Sequence, residues 1–190
     1  MSLIDIPPGH VGAVVTYLEM TARPADLAVL PSPLRMEQWR DFDPERYRAL
    51  FRKVGGKWLW FSRLRMNDAE LRAAAAEIHI VRDEAGADCG LVELDFQGQG
   101  NCLIRFLALA PELAGQGHGR WLFAETLIRA WAPGVERVTV HTCTLDHPAA
   151  LPAYLRAGFV AKRRAFESFP DPRLAGLLPL DYAPQVPLIR

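Results

Sequence analysis

Apolar positions along the chain change their period several times, and each change marks an element. Val11 to Tyr17 is rich in β-branched and aromatic residues and stops at Ala22-Arg23-Pro24, which predicts a first strand. A proline-rich loop follows. Asp43 then stands where a helix cap would, Pro44 at the first helical position and Gly55 at the end, with Tyr47, Leu50, Phe51 and Val54 on one face. Trp58 to Met66 gathers Trp58, Trp60 and Phe61 among Lys57, Arg63 and Arg65, a composition that covers a sheet or lines a pocket. Asn67 followed three residues later by Glu70 predicts a capping box opening a short helix through Ala76.

Three apolar segments come next, Glu77 to Arg82, Cys89 to Phe96 and Cys102 to Leu109, divided by Gly86 and by Gly98 to Gly100. They predict an antiparallel meander. After a glycine-rich loop the pattern alternates: a helix from about Arg120 to Trp131, a strand from Arg137 to Thr144, a helix from Pro148 to Ala157 and a strand from Phe159 to Phe169. This alternation implies some parallel pairing, so the expected fold is α/β (α+β), with a mixed, mostly antiparallel central sheet flanked by helices.

Length and composition narrow the function. A chain of 190 residues, 50% hydrophobic, favours one core; residues 1–169 are read as the domain and the proline-rich residues 170–190 as a tail packed on it. Twenty-two basic residues balance twenty-two acidic ones, which removes the net field that would recruit nucleic acid or an anionic membrane. Apolar runs such as Leu177 to Leu180 and Ala73 to Ala76 fall far short of the roughly 20 residues of a membrane helix. Met1 to His10 carries Asp5 and two prolines instead of a secretory pattern, so a cytoplasmic location is expected. Cys89, Cys102 and Cys143 lack paired spacing, and His141, Cys143 and His147 lack a second ligand pair, so neither a disulfide framework nor a metal site is expected.

The chemistry concentrates between Leu107 and Trp121. An apolar strand ends at Pro111 and runs into Ala114-Gly115-Gln116-Gly117-His118-Gly119-Arg120. Alternating glycines permit a tight loop with open N–H groups, and the helix starting there adds the positive end of its dipole, a cradle for a diphosphate. A nucleotide-triphosphate loop would need Gly-Lys-Ser/Thr, and a dinucleotide fingerprint would need GxGxxG in an early βαβ unit. Neither is present, which sets aside an NAD-type oxidoreductase. A glycine-rich turn without ligand stays open on this loop alone.

A second signature, PAALPAYLRAGF from Pro148 to Phe159, predicts a helix carrying Tyr154 and ending at Gly158. Together the two motifs resemble the GCN5-related N-acetyltransferase (GNAT) family, in which an R/Q-x-x-G-x-G/A loop holds the coenzyme A diphosphate and an N-x-x-A-x-x-x-Y-x-x-x-G-F helix packs beside the pantetheine arm. Gly117 and Gly119 match the loop, with Gly115 before them; Ala150, Tyr154, Gly158 and Phe159 match the helix. Ala114 stands in place of the family's Arg or Gln, with Gln116 and Arg120 nearby, and His147 in place of its Asn.

The resemblance implies a single three-layer domain and an enzyme that takes acetyl-CoA as cosubstrate, with no metal. It implies direct attack by a primary amine of a small molecule or peptide on the thioester in a ternary complex. In those terms the amides of residues 114–120, with His118 among them, would hold the diphosphate, His147 would adjoin the cofactor arm, and Leu107, Ala108 and Leu109 would pair with pantetheine. The N–H of Leu109 or Ala108 would polarise the thioester carbonyl, and Tyr154 would protonate the departing thiolate. The strand from Cys102 to Leu109 carries no carboxylate, which leaves His141 and Glu93, or a water chain, as the base. Cys143 as a covalent nucleophile has no activating partner in the sequence. The competing reading is a non-catalytic module that keeps the fold and binds acyl-CoA or a protein. The acceptor is unassigned, Pro31 to Met66 is expected to shape its side, and an edge strand offers a route to a homodimer.

Overall fold

Asp43 accepts hydrogen bonds from the N–H groups of Glu45 and Arg46, a cap that contributes about 1 kcal/mol to helix α1, Pro44–Gly55. A computed structural model describes residues 3–74 and 77–190 of the chain. Tyr47, Leu50, Phe51 and Val54 of α1 are all buried, each side chain adding roughly 1.5–3 kcal/mol of apolar burial against the sheet. The capping box also forms, with Asn67 and Glu70 each donating its N–H to the other's side chain at 2.9 Å. The short helix α2 is described over Asp68–Ala74; its expected end at Ala76 lies outside the described residues.

Seven strands build one open sheet: β1 (His10–Met20), β2 (Arg35–Gln38), β3 (Glu77–Arg82), β4 (Asp88–Phe96), β5 (Asn101–Leu109), β6 (Arg137–Cys143) and β7 (Val160–Pro170). Their spatial order is β2-β3-β4-β5-β6-β1-β7. The meander β3-β4-β5 is antiparallel, and β5 pairs parallel with β6 after the crossover through helix α3 (His118–Ala130). Two features depart from the sequence reading. Strand β2 forms inside the loop after β1, where four residues against β3 are too few to show a period. The second crossover, through helix α4 (Ala150–Arg156), makes no parallel pair, because β1 lies between β6 and β7 and runs antiparallel to both.

Alternation along the strands divides the core into two layers. Leu91 of β4 and Phe106 of β5 face α1, while Val92 and Leu94 face the other side, where Trp121, Leu122 and Leu127 of α3 and Tyr154 of α4 pack. After β7 the chain returns to the α1 side. There Leu178 and Ala183 are buried, and Arg173, itself buried and paired with Asp171, donates to the carbonyls of Tyr182, Ala183 and Val186. Among the described residues no helix is long and apolar enough to cross a membrane.

Candidate functional site

The site begins with a fault in the β4–β5 ladder. Glu93 pairs with Phe106 but Leu94 pairs with Ile104, so Arg105 is an extra residue on β5. A bulge of this kind bends its strand and sharpens the local twist. Pairing of β5 with β6 stops at the same place: it covers Asn101 to Ile104 against Arg137 to Val140 and goes no further. Beyond it, Phe106 to Leu109 stay with β4, and Thr142 and Cys143 stay with β1. The two strands therefore part and leave a cleft in the middle of the sheet.

Ladder alternation decides which backbone groups face that cleft. Ala110 donates its N–H to Cys89 of β4 at 2.7 Å. In an antiparallel pair such groups alternate, so Ala108 also turns to β4, and Leu107 and Leu109 turn their N–H and C=O groups into the cleft. Of the two amides weighed for the thioester carbonyl, the ladder leaves the one on Leu109.

The glycine loop lies at the open end of β5. Gly115 and Gly117 adopt φ of +78° and +84°, which a side chain would resist, and a Cβ placed at Gly115, Gly117 or Gly119 meets nothing within 4 Å. Gly117 caps α3 without a side chain; the Arg120 N–H donates to the Gly117 carbonyl at 3.2 Å, and the His118 and Gly119 N–H groups at the start of this 13-residue helix have no partner within it. The residues fit a diphosphate: backbone donors, a helix dipole and room for close approach. Ala114 is exposed in extended conformation. The Gln116 side chain is engaged with the Glu112 carbonyl at 2.9 Å, whereas Arg120 is exposed and, among the described residues, joins no ion pair. His118 is half-buried at the start of the helix.

On the far wall of the cleft, α4 starts at Ala150, two residues later than expected from Pro148. The His147 ring accounts for the delay: its Nδ1 accepts the Ala149 N–H at 3.0 Å and closes a turn, and Pro148 sits inside that turn. His147 also meets Trp58 edge to face at 5.2 Å. Tyr154 is buried between Phe123 and Phe159, and burial, with a smaller contribution from the Asp146 charge, pushes its phenol well above the ordinary value. It keeps its proton at neutral pH.

Asp146, which the sequence reading did not single out, ties the walls together. One carboxylate oxygen accepts from Trp60 Nε1 at 3.0 Å; the other accepts from the Thr142 hydroxyl at 2.8 Å and the Cys143 N–H at 2.9 Å. Two of its partners lie 4 and 3 residues away and form a local turn, but Trp60, 86 residues away, has no local signature. His141, on β6 just past the last residue paired with β5, keeps an open face. Crowding of its ring lowers its pKa and the Arg105 charge adds to this, while Asp146 pulls it up. Cys143 is half-buried and its thiol is pushed up to about 11 by burial, so it is no ready nucleophile.

Glu93 is not brought to His141. It is fully buried, with Arg63 Nη2 donating to it at 2.7 Å and the Tyr47 hydroxyl to its other oxygen, beneath the Phe106 ring that Arg63 also faces at 5.4 Å. The sequence placed Glu93 on the correct strand but could not show that Arg63 and Tyr47, 30 and 46 residues away, close around it. That pairing corrects the expectation of a base here, because no open face is left from which to take a proton.

The model of the acetyltransferase (GNAT) family matches residues 29–159. Among solved structures, a GCN5-related N-acetyltransferase from Sphaerobacter thermophilus is 15% identical with a TM-score of 0.57, over 86% of this chain and 52% of that one. One from Kribbella flavida is 18% identical, TM-score 0.54, over 88% of this chain and 63% of its own. A tandem GNAT protein from the clavulanic acid biosynthesis pathway is 17% identical, TM-score 0.56, over 87% and 54%. These likenesses carry the fold alone, and the chain spans about half to two thirds of the structures it resembles. A comparison with curated proteins finds no match.

Proposed function

Because the chain belongs to the acetyltransferase (GNAT) family, we propose that it transfers the acetyl group of acetyl-CoA to a primary amine of a small molecule or peptide by direct attack. The observation that carries this reading is the parting of β5 and β6 at Arg105, which opens the sheet beside the glycine loop and the N-terminus of α3. The amides of residues 115–119 and the dipole of α3 hold the diphosphate, and Arg120 supplies the charge that Ala114 lacks. The pantetheine arm lies along Leu107 and Leu109, pairing like an added strand.

His141, neutral at pH 7, takes the proton of the acceptor ammonium; the freed amine attacks the thioester carbonyl, and the Leu109 N–H donates to the oxyanion that forms. The zwitterionic intermediate collapses with cleavage of the C–S bond; the departing thiolate takes the Tyr154 proton, the second proton of the attacking nitrogen returns to the tyrosinate as the amide forms, and His141 releases its own to solvent. Glu93 and Arg63 act as positioning residues that fix Phe106 below the acetyl group.

Thermal unfolding with acetyl-CoA, with CoA and with NAD as control tests this. A ligand at a hundred times its dissociation constant adds about 2.7 kcal/mol, which raises the midpoint by roughly 5–10 °C for a chain of this size. A rise with both CoA forms and none with NAD is expected, and Tyr154→Phe keeps that rise while losing turnover. No rise with either CoA form refutes the reading; binding without turnover on any amine would favour a non-catalytic acyl-CoA module.

A further inference from the structure

Helix α1 lies on β4 and β5. The same face of the sheet continues over β6, β1 and β7, where it holds a hollow of about 320 Å³. Cross-strand register sets its lining. Leu103 stands opposite Thr139, Thr139 opposite Glu19, and His141 opposite Tyr17, so these side chains share one face.

Leu103 and the Tyr17 ring give the lining its apolar part; Thr139 lies on the strand between theirs, and Asn101 at the start of β5. Asn101 Nδ2 donates to Gln97 at 3.0 Å, and the Thr139 hydroxyl lies 3.4 Å from Asn101 Oδ1. The first of these bonds is exposed and the second half-buried, so ligand hydroxyl or amide groups can exchange with them without stranding a fully buried polar atom. At the far end Lys162 and Glu19 pair at 3.0 Å and cancel each other's charge. At the near end stands His141, the first β6 residue beyond the last pair with β5, where the cleft begins.

We infer that this hollow is the acceptor subsite and that it takes a small primary amine with a neutral body bearing hydroxyl or amide groups, of the amino-alcohol or amino-sugar kind. The assignment rests on the acetyl-transfer reading above. An apolar lining with a few polar groups is the usual make-up of a small-ligand site, and the volume lies near the lower end of the roughly 300–1,000 Å³ such sites occupy. Of the charges on this face, Lys162 and Glu19 pair with each other and the Arg163 guanidinium, opposite Tyr17, lies on the Tyr17 ring 3.9 Å from its centroid, so the lining presents no unengaged charge to a second ammonium or to a carboxylate. The ligand body lies over Leu103 and Tyr17, its hydroxyls meet Asn101 and Thr139, and its nitrogen reaches His141 at the mouth of the cleft.

The test measures CoA release from acetyl-CoA with three acceptor types of similar size: an amino sugar or amino alcohol, an amino acid, and a polyamine. The first should give kcat/KM at least tenfold above the other two. Thr139→Phe and, independently, Leu103→Phe fill the hollow; each should raise the acceptor KM tenfold or more while leaving the acetyl-CoA melting shift unchanged, and that shift also verifies folding. Preference for the charged acceptors, or an unchanged KM in folded variants of an active enzyme, overturns the inference and leaves acetyl transfer standing. Absence of the acetyl-CoA shift in the wild-type protein overturns the transfer reading, and the subsite falls with it.

Discussion

The two walls of the cleft are built by opposite means. At the glycine loop the open groups are backbone amides and a helix dipole, with the exposed Arg120 guanidinium beside them, all within the short stretch from Ala114 to Arg120. Around Asp146 and Glu93 the groups are side chains, joined across 86 residues in Trp60–Asp146 and 46 in Tyr47–Glu93. A backbone site tolerates change in its side chains, so on the function proposed above Ala114 can stand where the family motif has Arg or Gln. A side-chain network does not, because each buried partner that is removed leaves another unpaired.

The largest test of that contrast is Arg63→Ala. It leaves the Glu93 carboxylate buried with only the Tyr47 hydroxyl, and should cost about 3–5 kcal/mol, seen as a fall of roughly 6–20 °C in the melting midpoint. A change under a few degrees would show that water reaches this pair.

Next comes Gly117→Val. A Cβ there meets nothing, so the fold should persist, but φ of +84° costs a β-branched residue about 1–2 kcal/mol and turns the amides away. CoA affinity should fall about tenfold by calorimetry, while the melting midpoint of the free protein falls by only roughly 2–8 °C. Ala114→Arg, in contrast, should strengthen CoA binding or leave it unchanged.

Asp146→Asn comes last because it keeps one of the two acceptor oxygens and its readout is a pH profile. His141 faces the Tyr17 ring, Arg105 and Asp146, with Arg163 stacked over the far side of Tyr17. Asp146 favours the imidazolium, so removing its charge lowers the His141 pKa further and the neutral base persists to lower pH. The acidic limb of kcat/KM should move to lower pH, together with the His141 resonance in an NMR titration. A limb that stays in place while the resonance moves would mean that another group is the base.

Much of the fold was legible because its signals are local. The cap at Asp43, the Asn67–Glu70 box, the turn at Gly98 to Gly100 and the alternation in β3, β4 and β5 each depend on neighbours within a few residues, and each formed where the sequence placed it. The glycine loop belongs with them, since positive φ and an open helix terminus are properties of a short segment. His147 shows the limit: it carries a local hydrogen bond to Ala149 that moved the start of α4, an alternative that the pattern Pro148 to Ala157 did not distinguish.

Sequence by itself determined most of the elements, their approximate bounds and the open backbone of the glycine loop, because periodicity, capping and turn chemistry act over one or two turns of chain. Tertiary structure alone decided that β1 is inserted between β6 and β7, that an extra residue at Arg105 parts β5 from β6, and that Glu93 is enclosed while Asp146 joins the walls. Those outcomes depend on strand register and on ion pairs between residues far apart in the chain, and the contacts that fix them exist only once the sheet has closed.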